Sequence, residues 1–221
     1  LAALKDSELV NLQLHDNDWY VRHARRLLHE RAASKKLDET THAKLIDILN
    51  NRKEVPKKLR ALWCLHVTGG TSEELLFGLL DNSEEYIRAW ATQLLAEDGK
   101  VSEKVLNKWS EMAGNETSAV VRLYLASAMQ RVPVDQRWQV LENLAKHKED
   151  ADDHNLPLML WYALEPAVTT DVKKSLLLAR NSQIPLLIRY VTRRITGRSS
   201  KATKPKSKII LPAKVAPAKS V

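Results

Sequence analysis

The sequence predicts an all-α fold, an α-solenoid of about six helix-turn-helix repeats, and three observations carry that prediction. The segment Glu84 to Leu95, EEYIRAWATQLL, recurs along the chain. With Arg88 as register mark, the equivalent positions are Arg22, Arg60, Arg122, Trp161 and Arg189, at intervals of 38, 28, 34, 39 and 28 residues. The residue before each mark is Val21, Leu59, Ile87, Val121, Leu160 or Ile188, and the one two places after it is Ala24, Leu62, Trp90, Tyr124, Ala163 or Val191. All are apolar, at the spacing of one buried helix face. Short polar turns separate the marked helices from the helices before them. Such a unit cannot bury its apolar face alone, so units of this length stack on their neighbours.

Each unit reads as a helix, a turn and the marked helix. Leu4 to Leu14 leads through HDND into Trp19 to Ala33, with Asp16 and Asp18 as N-cap residues. Asp38 to Asn50 leads into Val55 to Val67, where Pro56 sits in a first turn that has no use for its missing N–H and Gly69-Gly70 stops the helix. Thr71 opens TSEE, a capping-box pattern in which Glu74 reaches back to Thr71, and DNSE turns into the helix before Gly99. Val101 to Ala113 stops at Gly114, and NETS caps a helix to about Val132. Pro133 starts a helix to about His147, and the longest turn, KEDADDHN, precedes Pro157 and LPLMLWYAL. Pro166 starts the last first helix, to Ala179, and RNSQ leads to Pro185 and a helix ending at Gly197.

Two segments follow: 1–197 as the repeat domain, and 198–221 as a Lys/Ala/Pro-rich flexible tail or interdomain linker with one apolar knot at Ile209, Ile210 and Leu211. The formal charge is +8, but the tail holds seven Lys or Arg and no acid, which leaves about +1 on the body. The high isoelectric point therefore describes the tail, and nucleic acid is expected to bind only weakly, through it. Cys64 is the only cysteine, so no intrachain disulfide forms, and CLH lacks the second cysteine of a haem-attachment motif. No apolar run has the roughly 20 residues of a membrane span. The chain starts at Leu1 inside an amphipathic run, and so reads as a piece of a longer protein with any targeting signal upstream.

The D-x-x-x-x-V-R-x-x-A phrase after a preceding helix resembles HEAT and the related phycobilisome-lyase-type HEAT-like repeats over residues 1 to about 197. More narrowly, NDWYVRHARRLLHERA, RALWCLH, EYIRAWATQLLAEDG, VRLYLASAMQRVP and EDADDHNLPLMLWYALEP resemble the helical segment of planctomycete-type membrane-bound dehydrogenase fusions. In these a sorbosone-dehydrogenase-like propeller precedes the HEAT segment and a c-type cytochrome follows it. The resemblance implies an extracytoplasmic or periplasmic oxidoreductase as parent, with haem c only in a neighbouring domain. Neither activity nor haem transfers to any residue of this segment, which has neither propeller nor CxxCH, and the reading gives it no cofactor.

Three constellations are weighed against plainer readings. The arginine series 22, 60, 88, 122 and 189 resembles a cationic ladder, but the plainer reading pairs it with turn carboxylates such as Asp16, Asp18, Asp81, Glu84 and Glu116. Glu149 to Asn155 gathers four carboxylates and His154, which are ligand types for a hard cation or zinc; it lacks the glycine and terminal glutamate of an EF-hand, and capping explains its acids equally well. That leaves Asp152, Asp153 and His154 as candidate contacts for a neighbouring domain. Of twelve aromatic residues, nine lie on the marked helices, which line the concave side of HEAT stacks: Trp19, Tyr20, Trp63, Tyr86, Trp90, Tyr124, Trp161, Tyr162 and Tyr190. Trp90 and Tyr124 stand at core positions, while Trp19, Tyr86 and Tyr162 are the candidates for an exposed partner-binding edge. No GxSxG, HExxH or phosphate-cradling glycine loop is present, so no catalytic residue and no metal site is assigned.

The expected function is a non-catalytic protein-interaction or interdomain scaffold. The alternative is a nucleic-acid-binding HEAT protein of the alkylpurine DNA glycosylase type, against which stands the nearly neutral body.

Overall fold

The computed structural model describes the backbone of residues 1–202 and the side chains of 1–197; the apolar knot at Ile209 to Leu211 lies outside the described residues. Among the described residues the chain is all-helical. Its helices are α1 (Asp6–Asn11), α2 (Asp18–Ala33), α3 (Thr41–Asn51), α4 (Val55–Val67), α5 (Glu73–Leu79), α6 (Glu85–Leu95), α7 (Glu103–Asn115), α8 (Ala119–Ala128), α9 (Trp138–Leu144), α10 (Leu156–Thr170), α11 (Val172–Asn181) and α12 (Pro185–Ala202). Short 3₁₀ turns occupy Leu12–Leu14, Val134–Gln136 and Lys148–Asp150.

The helices pack in consecutive pairs: α1 on α2, α3 on α4, and so on to α11 on α12. The even-numbered helices also follow one another in space, α2 on α4, α4 on α6, α6 on α8, α8 on α10 and α10 on α12. The residue before each register mark explains this order. Val21, Leu59, Ile87, Val121 and Leu160 are all buried, and so are Ala24, Leu62, Ala163 and Val191 two places after it. Ile188 departs from the pattern at 44% exposure, with Leu187 taking the buried position one residue earlier. The small residues Ala61, Ala89 and Ala126 are also fully buried on these helices.

Caps and stops show where local chemistry acts. α4 keeps the boundaries its sequence predicts, with Pro56 in its first turn. It ends where the Gly69 N–H donates to the His66 carbonyl at 3.1 Å and the Gly70 N–H to that of Leu65 at 2.7 Å. Gly69 has φ 76°, the left-handed conformation that costs a residue with a Cβ. A Cβ on Gly70 would stand 2.7 Å from the His42 ring.

Several boundaries are corrected. Asn17, not Asp16 or Asp18, caps α2, its Oδ1 accepting from the Trp19 N–H at 2.9 Å. Ser72 caps α5 in place of Thr71, accepting from Leu75 N–H. α7 passes through Gly114, which takes no left-handed conformation, to Asn115, and the Glu116 N–H closes it by donating to the Met112 carbonyl at 2.8 Å. After Pro133 comes a 3₁₀ turn rather than a helix start, and α9 waits until Trp138. The cause is Arg137, which is buried and donates to the carbonyls of Val132, Ala163 and Gln130 at 2.7, 2.8 and 3.2 Å, fixing the bend.

Pro166 does not begin a helix. It lies inside α10, exposed, so the Tyr162 carbonyl that loses its i+4 donor faces the solvent side. The break comes at Asp171, whose side chain accepts from the Lys174 N–H at 2.9 Å to start α11. α12 likewise continues through Gly197 to Ala202, beyond the expected end.

Candidate interaction surface

The register arginines are tied to turns, and mostly to the turn of a neighbouring helix pair. Arg60 donates to Asp18 Oδ1 at 2.6 Å and to the His15 carbonyl at 3.0 Å. Arg88 takes the Glu116 carboxylate in a fork, 2.9 and 2.7 Å, while its Nη1 donates to the carbonyls of Asn82 and Ser83. Arg122 repeats this one pair further on, with Asp150 at 2.6 and 2.5 Å and the Glu116 carbonyl at 2.7 Å. Asp81, one of the turn carboxylates expected to pair with the arginine series, instead takes Lys108 at 2.7 Å. Arg22 is exposed and only 3.8 Å from Asp18, and Arg189 is exposed over the Tyr190 ring. Each fork holds two planar groups in one geometry and joins successive turns.

The charges respond accordingly. Burial pushes the Glu116 carboxyl up, but donation by Arg88 and by the Ser118 N–H outweighs it and holds the group below its ordinary range. Asp150 raises the Arg122 value through its hydrogen bonds, against the effect of burial.

The acidic turn is thereby divided. Asp150 is buried on Arg122. Glu149 pairs with His147 at 2.9 Å. Asp153 accepts from the Asn155 and Leu156 N–H groups, both at 2.8 Å, and these donors hold it below its ordinary range. It serves as a cap for α10. Asp152 and His154 are exposed. Among the described residues no group of three or more His, Cys, Asp or Glu side chains is placed to hold a metal ion, and no helix is long and apolar enough to cross a membrane. Cys64 is fully buried, and burial pushes its thiol up to about 12.

The aromatic residues divide into two sets. Trp19, Tyr86 and Tyr162 are 53, 49 and 48% exposed, each on a different even-numbered helix. Half-buried rings form a row between those helices: Trp63 and Trp90 have centroids 5.0 Å apart, and Trp90 and Tyr124 6.1 Å. At the far end Trp161 and Tyr190 are 5.3 Å apart. There, with Tyr162, Glu165 and Arg194, they line a cavity of about 690 Å³. Trp161, at the register position that arginine holds elsewhere, is half-buried.

Sequence reasoning missed Arg25. Its guanidinium lies 5.6 Å from the Trp63 ring centroid, makes no hydrogen bond or ion pair with any described residue, and its Nη1 is buried without a partner among them. Desolvation lowers its pKa, with further lowering from Arg22 and Arg60. The signal was available only as an arginine three places after the register mark Arg22, and its isolation depends on Trp63, 38 residues away.

No protein-family model matches the chain, and no curated protein matches it.

Proposed function

We propose that the twelve helices form an α-solenoid of six HEAT-like pairs and that the chain is a non-catalytic interaction module, holding a protein partner or a neighbouring domain of its own chain. The observation that carries this reading is the distribution of chemistry. The strongest ionic groups are spent between turns, in the Arg88–Glu116 and Arg122–Asp150 forks, whereas Trp19, Tyr86 and Tyr162 are left exposed on three even-numbered helices. Exposed Trp and Tyr beside arginine is the composition of protein-binding hot spots. The forks supply the rigidity that a docking face needs, since a partner then meets side chains already ordered.

The parent, on the resemblance described above, is an extracytoplasmic dehydrogenase and cytochrome c fusion, in which this segment spaces or docks the catalytic and electron-transfer domains. Sequencing the transcript on both sides of this segment tests that assignment. An upstream propeller and a downstream CxxCH support it, and a reading frame with neither removes the parent while leaving the interaction module to be tested by itself.

A further inference from the structure

Arg25 on α2 projects to a cavity of about 430 Å³ that it shares with Trp63, His66, Trp90, Leu94 and Glu97. Half the wall is aromatic and aliphatic. A guanidinium stacked on an indole keeps its in-plane N–H donors free for a planar acceptor. Here the Nη1 group is closed off from solvent without an acceptor, as is the Trp63 Nε1 hydrogen, while no described residue takes up the Nε and Nη2 donors, which stay open to solvent. The open Nε and Nη2 edge lies over the Trp63 ring, 5.6 Å from guanidinium carbon to ring centroid, and an oxygen acceptor arriving in the cavity can meet it.

Charge narrows the ligand. Arg22 and Arg60 add positive potential at Arg25, and the nearby carboxylate, Asp18, is already taken by Arg60 at 2.6 Å. An anion is therefore favoured at this end. The other end holds Glu97, exposed and bonded to His66 Nε2 at 2.5 Å. A polyanion lying across both ends would meet that carboxylate, whereas a peptide can present one acid to Arg25 and a backbone N–H to Glu97. The volume suits one or two side chains.

We infer that Arg25, Trp63 and Trp90 form a recognition site for an acidic side chain next to an aromatic or branched apolar residue in a partner's polypeptide segment. The acid accepts a fork from the open Nε and Nη2 donors of Arg25, with the Trp63 ring beneath the guanidinium. The apolar neighbour lies on Trp90 and Leu94. This rests on the reading of the even-numbered helices as the binding face, and it names the chemistry of one end of that face.

The test titrates the full chain with the acetylated, amidated peptide Gly-Asp-Phe-Gly and with its Asn-for-Asp counterpart, following the Trp63 indole N–H resonance. The expected result is binding that weakens at least about tenfold with the Asn peptide and to the same extent in Arg25→Gln, because a charge-assisted pair is lost in both cases. Arg25→Lys keeps the charge but not the fork and should lose about fivefold; it also serves if Arg25→Gln fails to fold. Equal binding by Arg25→Gln, equal binding of the Asn peptide, or no binding by the unaltered chain at millimolar peptide would each overturn the site. Displacement of the peptide by micromolar single-stranded DNA would overturn the choice of a polypeptide ligand. Peptide binding lost in Tyr86→Ala but kept in Arg25→Gln would leave the face standing and remove this site from it. A face that fails as a whole would show the reverse: the peptide still bound through Arg25 and no partner contact at Tyr86.

Discussion

Replacing Asp150 by Asn should cost about 3 kcal/mol of folding stability, and the structure says why so small a change is so expensive. Arg122 and Asp150 side chains are each only 3% exposed. Asp150 accepts two hydrogen bonds from Arg122, at 2.6 and 2.5 Å. The amide keeps one acceptor oxygen but turns an NH₂ toward a guanidinium that has only donors, and the buried positive charge loses its counter-ion. Breaking one side of a buried pair costs about 3–5 kcal/mol. Glu149 stands 3.6 Å from Arg122 but is 61% exposed, so its screened charge offsets part of the loss and places the expectation at the lower end. For a body of this size a loss of about 3 kcal/mol lowers Tm by roughly 6–12 °C. The double variant Arg122→Met/Asp150→Leu removes both charges, so it should lie within about 2 kcal/mol of the unaltered protein, with part of the remaining loss from the Glu116 carbonyl that Arg122 no longer satisfies. The assay is urea unfolding followed by circular dichroism, with Arg22→Ala as the exposed control, expected within about 0.5 kcal/mol. A loss below about 1 kcal/mol in Asp150→Asn, or a double variant as damaged as the sum of the singles, would refute the buried-fork account.

Other outcomes follow from the same structure. Gly70→Ala should destabilise more than Gly69→Ala, since the first adds a clash with His42 to any backbone effect while the second meets only left-handed strain of about 1 kcal/mol; thermal unfolding of the two decides. The Glu116 carboxyl is held below its ordinary value of 4.5, so its contribution is fully present above that pH and is lost as pH falls through the lowered value. Unfolding midpoints at pH 6 and pH 3.5 should therefore differ more in the unaltered protein than in Glu116→Gln. Cys64, raised to about 12 by burial, should react with a thiol reagent at pH 8 only at the rate of unfolding. Trp161→Ala should cost about 2 kcal/mol in denaturant midpoint experiments, less than a fully buried tryptophan, because the ring is half-buried against Tyr190.

What was legible in the sequence was what local chemistry controls. The run from Val55 to Val67, closed by Pro56 and Gly69, gave a helix with the same ends in the structure. Where boundaries moved, a distant contact or a stronger local cap had taken over. Pro166 suggests a helix start because proline favours a first turn, but Asp171 offers a side-chain acceptor to a helix N-terminus, and an exposed proline is tolerated within α10. Arg137 is held by three carbonyls, one of them on α10, and no local pattern in the sequence marks that contact. The exposure of Trp19, Tyr86 and Tyr162 could be read from register, since each lies off the buried face of its own helix. Arg25 could not be, because the absence of a partner is a property of everything around it.

The central claim is that partners are held by the even-numbered helices. A photo-cross-linking residue placed at Tyr86, and in a second variant at Glu142 on α9, tests it most directly in the cells that produce the protein. Both sites are solvent-accessible, so a chance collision would label either. The account predicts one discrete adduct from position 86, identified by mass spectrometry as a defined protein or a neighbouring domain of the same chain and lost in Trp19→Ala/Tyr162→Ala, with none from position 142. A discrete adduct from position 142 and none from position 86 would contradict it.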